Sequence, residues 1–376
     1  MPIYLDYNAT TPVRPEVLDD MIFVYRQNFG NAGSRTHSFG QAALAAVEKA
    51  RGQIASVLGC EKDEVVFTSG ATESNNIAIL GLAQWGSSVG RRHIISSMIE
   101  HKSVMEPMRY LSRHGFEVEL VGVNKDGAVD LDDLKKRVRQ DTLLVSIMHA
   151  NNETGVIQPV DKVAKLLEGS GAYLHCDAAQ TFGKLVPEVR GLRYDLLSIS
   201  GHKMGGPQGI GTLVMRRRNY KKPPVEPVLF GGGQEHGIRP GTLPVALIAG
   251  FGKATEISEK EYAGNHARCM KVKESILKQL EGTGCIINGS LEHSLPNCIN
   301  ISFPKVNSEA LMILIKDHVC VSNGSACTSA EYRPSHVLTA MGLEDSIAKG
   351  AIRMSWGYGV GEVDLSPLIQ AVKALQ

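Results

Sequence analysis

Lys203 stands in the run Ser198-Ile199-Ser200-Gly201-His202-Lys203-Met204-Gly205-Gly206-Pro207, directly after the apolar segment Tyr194-Asp195-Leu196-Leu197-Ser198-Ile199. Lysine is almost never fully buried without a partner, so packing explains this one poorly. A loop of small residues at a strand exit turns backbone N–H groups toward an anion such as phosphate. The amine suits a covalent bond to a carbonyl carbon. Pyridoxal 5'-phosphate (PLP) carries both groups. The competing reading is a surface lysine in a turn.

Asp177 shifts the balance. It ends the apolar strand segment Ala172-Tyr173-Leu174-His175-Cys176-Asp177, with one further strand between it and Lys203. PLP draws electrons only while its pyridine nitrogen is protonated, and an aspartate fixed at a strand end can hold that proton. The alternative for a lone Asp after a strand is a helix cap or turn.

These residues need a scaffold. Between positions 65 and 215 short apolar runs alternate with helical patterns. Strands are expected at 65–68, 93–97, 116–121, 143–148, 172–177, 194–199 and 210–215. Helices are expected at 16–27, 35–59, 70–85, 103–114, 131–139 and 160–167. Continuous rather than alternating apolar strands imply a mostly parallel sheet covered on both faces. Ligands of such sheets lie beyond the carboxyl ends of the strands. A Gly-rich loop follows at 230–242, then a long helix from 244 to 262 and beyond. The remainder mixes strands (298–303, 351–355) with helices (308–316, 335–341, 363–375), which implies a smaller α+β domain.

Composition narrows the classes. The chain has 376 residues, 43% of them hydrophobic, and a net charge of +1. Nothing global points to direct nucleic-acid binding or to an acidic membrane surface. No apolar run of about 18 residues would span a membrane, and Met1-Pro2-Ile3-Tyr4-Leu5-Asp6 is not a signal peptide. Seven scattered cysteines (Cys60, Cys176, Cys269, Cys285, Cys298, Cys320, Cys327) contain no Cys-x-x-Cys pair. A reduced, cytoplasmic location and no metal site are expected.

Eight motifs then fall in register: Gly70-Ala71-Thr72-Glu73-Ser74, Glu100-His101-Lys102, Asn151-Asn152-Glu153-Thr154-Gly155, Asp177-Ala178-Ala179-Gln180, Ser200-Gly201-His202-Lys203, Arg239-Pro240-Gly241-Thr242, Gly324-Ser325-Ala326-Cys327 and Ile352-Arg353. Over essentially its whole length the chain closely resembles the cysteine desulfurases, PLP enzymes of the class-V aminotransferase group. The resemblance implies PLP fold type I, an α/β fold. It has a large PLP-binding domain (15–260) with a mostly parallel seven-stranded sheet. A smaller α+β domain (1–14 and 261–376) carries the catalytic cysteine loop.

The resemblance also implies roles. Lys203 matches the lysine that bonds the cofactor and later moves the substrate Cα proton. Asp177 matches the partner of the pyridine nitrogen, and Gln180 the partner of the ring hydroxyl. Ala71 and Thr72 open a helix whose N–H groups suit the phosphate, with Ser200 and His202 as further phosphate ligands. His101 resembles the imidazole stacked on the ring, also an acid/base; its alternative is an exposed loop histidine. Asn152, also placed at the cofactor, and Arg353 match the residues that hold the substrate carboxylate, which a planar guanidinium grips in bidentate fashion. Strand alternation puts Arg353 on the face opposite Ile352 and Met354. Thr242 matches a threonine that reaches the PLP phosphate of the other subunit, which implies a homodimer.

Cys327 corresponds to the sulfur acceptor. Its run Val321-Ser322-Asn323-Gly324-Ser325-Ala326-Cys327-Thr328-Ser329-Ala330 is small and polar. The step requires a thiolate, and the resulting persulfide must pass to an acceptor protein. The other six cysteines are assigned to packing; Cys176 lies near the cofactor but is structural. The implied reaction converts L-cysteine to L-alanine and leaves an enzyme persulfide. The Ser-Ala-Cys-Thr-Ser loop resembles the long-loop group. The chain stops at Gln376, where many housekeeping members continue into a tail that docks the iron–sulfur scaffold. The Arg239–Thr242 and Asn323–Ser325 segments also depart slightly from the housekeeping pattern. A specialised desulfurase fits these departures, one feeding nitrogenase clusters or DNA phosphorothioation, with the latter preferred. Two other readings stay open. A selenocysteine or cysteine-sulfinate lyase would need no acceptor thiol. A non-catalytic iron–sulfur protein is disfavoured by the cysteine spacing.

Overall fold

The computed structural model describes residues 2–323 and 335–376. Its main sheet has seven strands: β1 (Val65–Thr68), β2 (His93–Ser97), β3 (Glu117–Val121), β4 (Thr142–Ser146), β5 (Tyr173–Asp177), β6 (Leu196–Ser200) and β7 (Gly211–Met215). Their spatial order is β1-β7-β6-β5-β4-β2-β3. Only β7 runs against its neighbours β1 and β6; every other adjacent pair is parallel. The fold is therefore α/β with the mostly parallel seven-stranded sheet that the apolar runs imply.

Both faces of this sheet are dry. Val65, Phe67, Val145, Leu197, Ile199 and Val214 enter one core with Ile54 of helix Ser38–Leu58 and Phe251 of helix Val245–Leu280. The residues between them, Val66, Leu144, Leu196 and Leu213, pack on the other side with Ile77, Leu82, Val104 and Met108. A period of two with both phases apolar requires helices on both faces. The edge strand β3 differs. Glu117 and Glu119 make its rim polar, pairing with Arg139 and Arg137, which blunts an edge that could otherwise recruit another strand.

Helix ends follow local chemistry. Asp130 accepts from the backbone N–H groups of Asp132 and Asp133 at 2.9 and 3.0 Å and starts Leu131–Arg137. The helix expected at 70–85 is instead Ala71–Asn76, a wider turn over Ile77–Gly81, and Leu82–Ser88.

The long helix reaches Leu280, so a boundary at 260/261 falls inside it. Val245, Ile248, Phe251 and Ile257 belong to the main core, while Cys269, Val272, Ile276 and Leu280 belong to a second. That second core also takes Leu5 and Tyr7 from the N-terminal arm, together with Ile301, Phe303 and Trp356. It is built on the strand Cys298–Ser302, antiparallel to both Ala351–Ser355 and Ile286–Ile287. Ile3–Tyr4 pairs in parallel with Val319–Cys320. The N-terminal arm thus crosses from the second core to the carboxyl edge of the main sheet.

Candidate active site

At that edge Ala71, Thr72, His101, Asn152, Asp177, Gln180, Ser200, His202, Lys203 and Arg353 line one cavity of about 500 Å³. They come from five strand exits of the main sheet and one strand of the second core. Thr242 is exposed and is not among the lining residues. Cys327 lies outside the described residues.

Asp177 ends β5 and is held from two sides. Its Oδ1 accepts from the Ala179 N–H at 2.9 Å, and its Oδ2 accepts from Asn75 Nδ2 at 2.7 Å. The same Asn75 amide donates to Ser103 Oγ at 2.8 Å. The carboxylate therefore cannot swing without breaking bonds on two elements. Lys203 sits in the single turn Gly201–Lys203 after β6. Its Nζ donates to the carbonyls of Asn8 at 2.5 Å and Ala9 at 2.7 Å. The N-terminal arm thereby aims the amine.

His101 precedes helix Lys102–Ser112, and its Nδ1 accepts from the Ser103 N–H at 3.1 Å. Burial lowers its pKa and Asp177 opposes that shift, so the imidazole is neutral at pH 7. His202 is pushed down to about 4, mainly by burial and further by Lys203 and Lys184. It therefore meets an anion as a neutral hydrogen-bond partner. Beside it, Gly70 takes a φ of 151°, a backbone that L side chains rarely adopt. Gly211 is needed as well, since a Cβ there would come within 2.6 Å of the Gly70 Cα. This close packing brings the start of helix Ala71–Asn76 against Ser200.

Arg353 lies mid-strand in Ala351–Ser355. Alternation sends Ile352 and Met354 into the second core and Arg353 to the cavity. It is 4% exposed. Its Nη1 donates to the Asn152 carbonyl at 2.9 Å and its Nη2 to Asp6 Oδ1 at 2.5 Å, while Nε has no hydrogen-bond partner among the described residues.

Several participants are not singled out by the sequence. Asp6 and Asn8 arrive on the arm, whose polar run Asp6-Tyr7-Asn8-Ala9-Thr10 was its only signal. Asn75 positions Asp177. Lys184 donates to Gln180 Oε1 at 3.1 Å and to Asn8 Oδ1 at 3.2 Å. Glu100, which the sequence places in the motif with His101 but without a role of its own, is fully buried.

The donor set fits PLP. One side supplies an amine and the fixed carboxylate; another supplies hydroxyl, imidazole and helix N–H groups suited to a phosphate. Asn75 Oδ1 is buried and has no partner among the described residues, while Nδ2 of the same amide holds the carboxylate. Among the described cysteines, burial pushes the Cys60 thiol up to about 12 and Cys269 to about 11, and raises Cys176 and Cys298 as well. These four are poor nucleophiles. His93, Glu117 and Glu119 also approach one another, but Arg137 and Arg139 engage the carboxylates.

The aminotransferase class-V family model matches residues 3–366. The cysteine desulfurase IscS of Anaeromyxobacter sp. (strain Fw109-5) is 46% identical over 376 residues, covering 99% of this chain and 92% of the relative. Among solved structures, a NifS-like protein superposes with a TM-score of 0.90 at 39% identity, covering 100% of this chain and 98% of that one. DndA from Streptomyces lividans superposes with a TM-score of 0.83 at 45% identity, covering 93% and 98%.

Proposed function

The chain belongs to the class-V aminotransferases and, among them, to the cysteine desulfurases, and from that premise we propose how its residues share the reaction. The enzyme is a PLP-dependent desulfurase that converts L-cysteine to L-alanine and transfers the sulfur as a persulfide. PLP supplies the electron sink for the pair left at the substrate Cα.

Arg353 and Asn152 grip the substrate carboxylate, the guanidinium using the N–H donors that Asp6 and the Asn152 carbonyl leave over. Asp177 holds the pyridine proton, and Gln180 faces the ring hydroxyl. Ala71, Thr72, Ser200 and His202 hold the phosphate. Lys203 takes the Cα proton and His101 holds or moves a second one. The Cys327 thiolate attacks the substrate sulfur. An S–S bond forms as the C–S bond breaks, the β-carbon takes a proton to become the methyl group of alanine, and Lys203 gives a proton back to Cα. The observation that carries this reading is the presence of the Lys203 amine and the doubly held Asp177 carboxylate in one cavity.

The enzyme acts as a homodimer in which Thr242 reaches the PLP phosphate of the other subunit. Its exposure, and the exposed Leu18, Ile22, Phe23 and Tyr25 on helix Pro15–Gln27, support that arrangement. The persulfide passes to an acceptor protein, either in iron–sulfur cluster assembly or in DNA phosphorothioation. Likeness to IscS supports the first and likeness to DndA the second. The near-neutral charge supports a chain that does not itself bind nucleic acid. No helix among the described residues is long and apolar enough to cross a membrane, and the described cysteines are all free, which fits a cytoplasmic enzyme.

The test is alanine release from L-cysteine under reductant, wild type beside Cys327→Ala. Alanine from the wild type and almost none from the variant supports the persulfide route. Equal release moves the acceptor role off Cys327 and favours a lyase.

A further inference from the structure

Behind the cavity lies a second lysine that the reaction above leaves without a role. Lys184 Nζ donates to Gln180 Oε1 at 3.1 Å and to Asn8 Oδ1 at 3.2 Å. An ammonium has three donors and no acceptor, so both amides must turn their oxygens toward it. The nitrogen of each amide then faces away. Gln180 Nε2 donates to the Asn8 carbonyl at 2.9 Å, and its second N–H is left for the cavity. Asn8 Nδ2 donates to the Asn152 carbonyl at 3.2 Å, the same oxygen that takes Arg353 Nη1. The Asn8 carbonyl also accepts from Lys203 Nζ. One ammonium thus sets the polarity of two side-chain amides, Gln180 and Asn8, whose nitrogens donate to the main-chain carbonyls of Asn8 and Asn152 that also take Lys203 and Arg353.

Charge adds a second effect. Lys184 and Lys203 share Asn8, and like charges at such range disfavour each other's protonation. The titratable and charged groups acting on Lys184 are the Lys203 ammonium, the Cys298 and Cys269 thiols and the Arg353 guanidinium. Its own pKa falls to about 7, through burial first and Lys203 second, so the charge it sets behind Lys203 is present below that pH and fades above it. Neither of its two hydrogen-bond acceptors is a carboxylate, so its charge is not cancelled by its contacts.

We propose that Lys184 is a positioning residue for the desulfurase reaction: through Gln180 and Asn8 it fixes an N–H donor toward the cofactor's ring oxygen, and its charge behind Lys203 lowers the proton affinity of the Lys203 nitrogen. The inference rests on the PLP reading of this cavity. A donor to the ring oxygen and a nearby cation both favour the deprotonated form of the cofactor–lysine pair. Removing Lys184 weakens both.

The experiment records the visible absorbance of the bound cofactor against pH in the holoenzyme, for wild type and for Lys184→Met, Lys184→Gln and Lys184→Arg, with cofactor stoichiometry and the KM and kcat for L-cysteine. The absorbance midpoint is expected to rise by about one pH unit in the Met and Gln variants and to stay near wild type in Arg, which keeps the charge. Should Lys184→Met fail to fold, Lys184→Gln carries the test. Met and Gln variants that bind cofactor with an unmoved midpoint overturn the proposal and leave the cofactor reading intact. A wild type with no visible cofactor band removes the cofactor reading and this inference with it.

Discussion

Arg353 Nη2 sits 2.5 Å from Asp6 Oδ1 on the N-terminal arm, while Nη1 of the same guanidinium holds the Asn152 carbonyl. The arm therefore neutralises a buried cation whose Nε has no partner among the described residues. A substrate carboxylate completes this arrangement by a charge-assisted bond. Arg353→Lys keeps the charge but loses the planar fork. The KM for L-cysteine should rise about 10- to 100-fold, matching the loss of about 1.5–3 kcal/mol for a hydrogen bond to a charged group. A variant with unchanged KM would place the carboxylate elsewhere.

Asp177→Asn tests the other end of the cavity. The substitution preserves shape, and the Asn75 and Ala179 contacts define where it matters. Cofactor should still bind, because the phosphate ligands lie elsewhere. Turnover should fall by about 10²–10⁴-fold, since a neutral amide cannot keep the pyridine nitrogen protonated. Alanine formation per bound cofactor is the measurement; near-normal turnover would remove Asp177 from its role.

How much of this was readable in advance follows from how far apart the partners stand in sequence. The strands of the main sheet were legible because both phases of Leu143-Leu144-Val145 and Leu196-Leu197 are apolar. Lys203 and Asp177 stood out because packing does not explain a lysine or an aspartate at a strand exit. Arg353 was legible from alternation within one strand. Asp6, Asn8 and Lys184 were not, because their partners lie on remote segments and no local pattern encodes the pairing. The long helix was legible as far as residue 262. Beyond that its buried face changes cores, so one stripe of apolar residues gives way to another.

The Gly-rich loop is not a spacer, and its anchor is a buried ion pair. Arg51 grips both oxygens of Glu235 at 2.7 and 2.9 Å, and Glu235 also accepts from the Phe67 N–H at 2.7 Å. Glu235 itself has a φ of 49°, a strained backbone that these contacts hold in place. Farther along, Arg239 pairs with Glu73 at 2.9 Å, tying the segment before Thr242 to the helix after Gly70. Glu235→Ala leaves the buried Arg51 with only the half-exposed Glu48 as counter-charge and should cost at most about 3–5 kcal/mol. Denaturant unfolding of the holoenzyme would read this as a lower midpoint at constant slope; an unchanged midpoint would mean the loop holds without the pair.

Glu100 turns burial into a pH dependence. Its Oε1 accepts from Ser97 Oγ at 2.7 Å and from the Met148 N–H at 2.8 Å, while Oε2 has no partner among the described residues. Burial raises its pKa from 4.5 to about 8, outweighing those two bonds, with Asp177 adding to the rise. The folded protein therefore keeps a proton that the unfolded chain releases above about pH 4.5. The stability this proton contributes is complete below that value and is lost as pH climbs toward 8. Glu100→Gln copies the protonated carboxyl in shape and cannot ionise. Thermal midpoints of variant and wild type should lie close at pH 5 and separate as pH rises, with the variant more stable by pH 9. Parallel curves would mean that Glu100 is ionised throughout, and hence that water or another cation reaches Oε2.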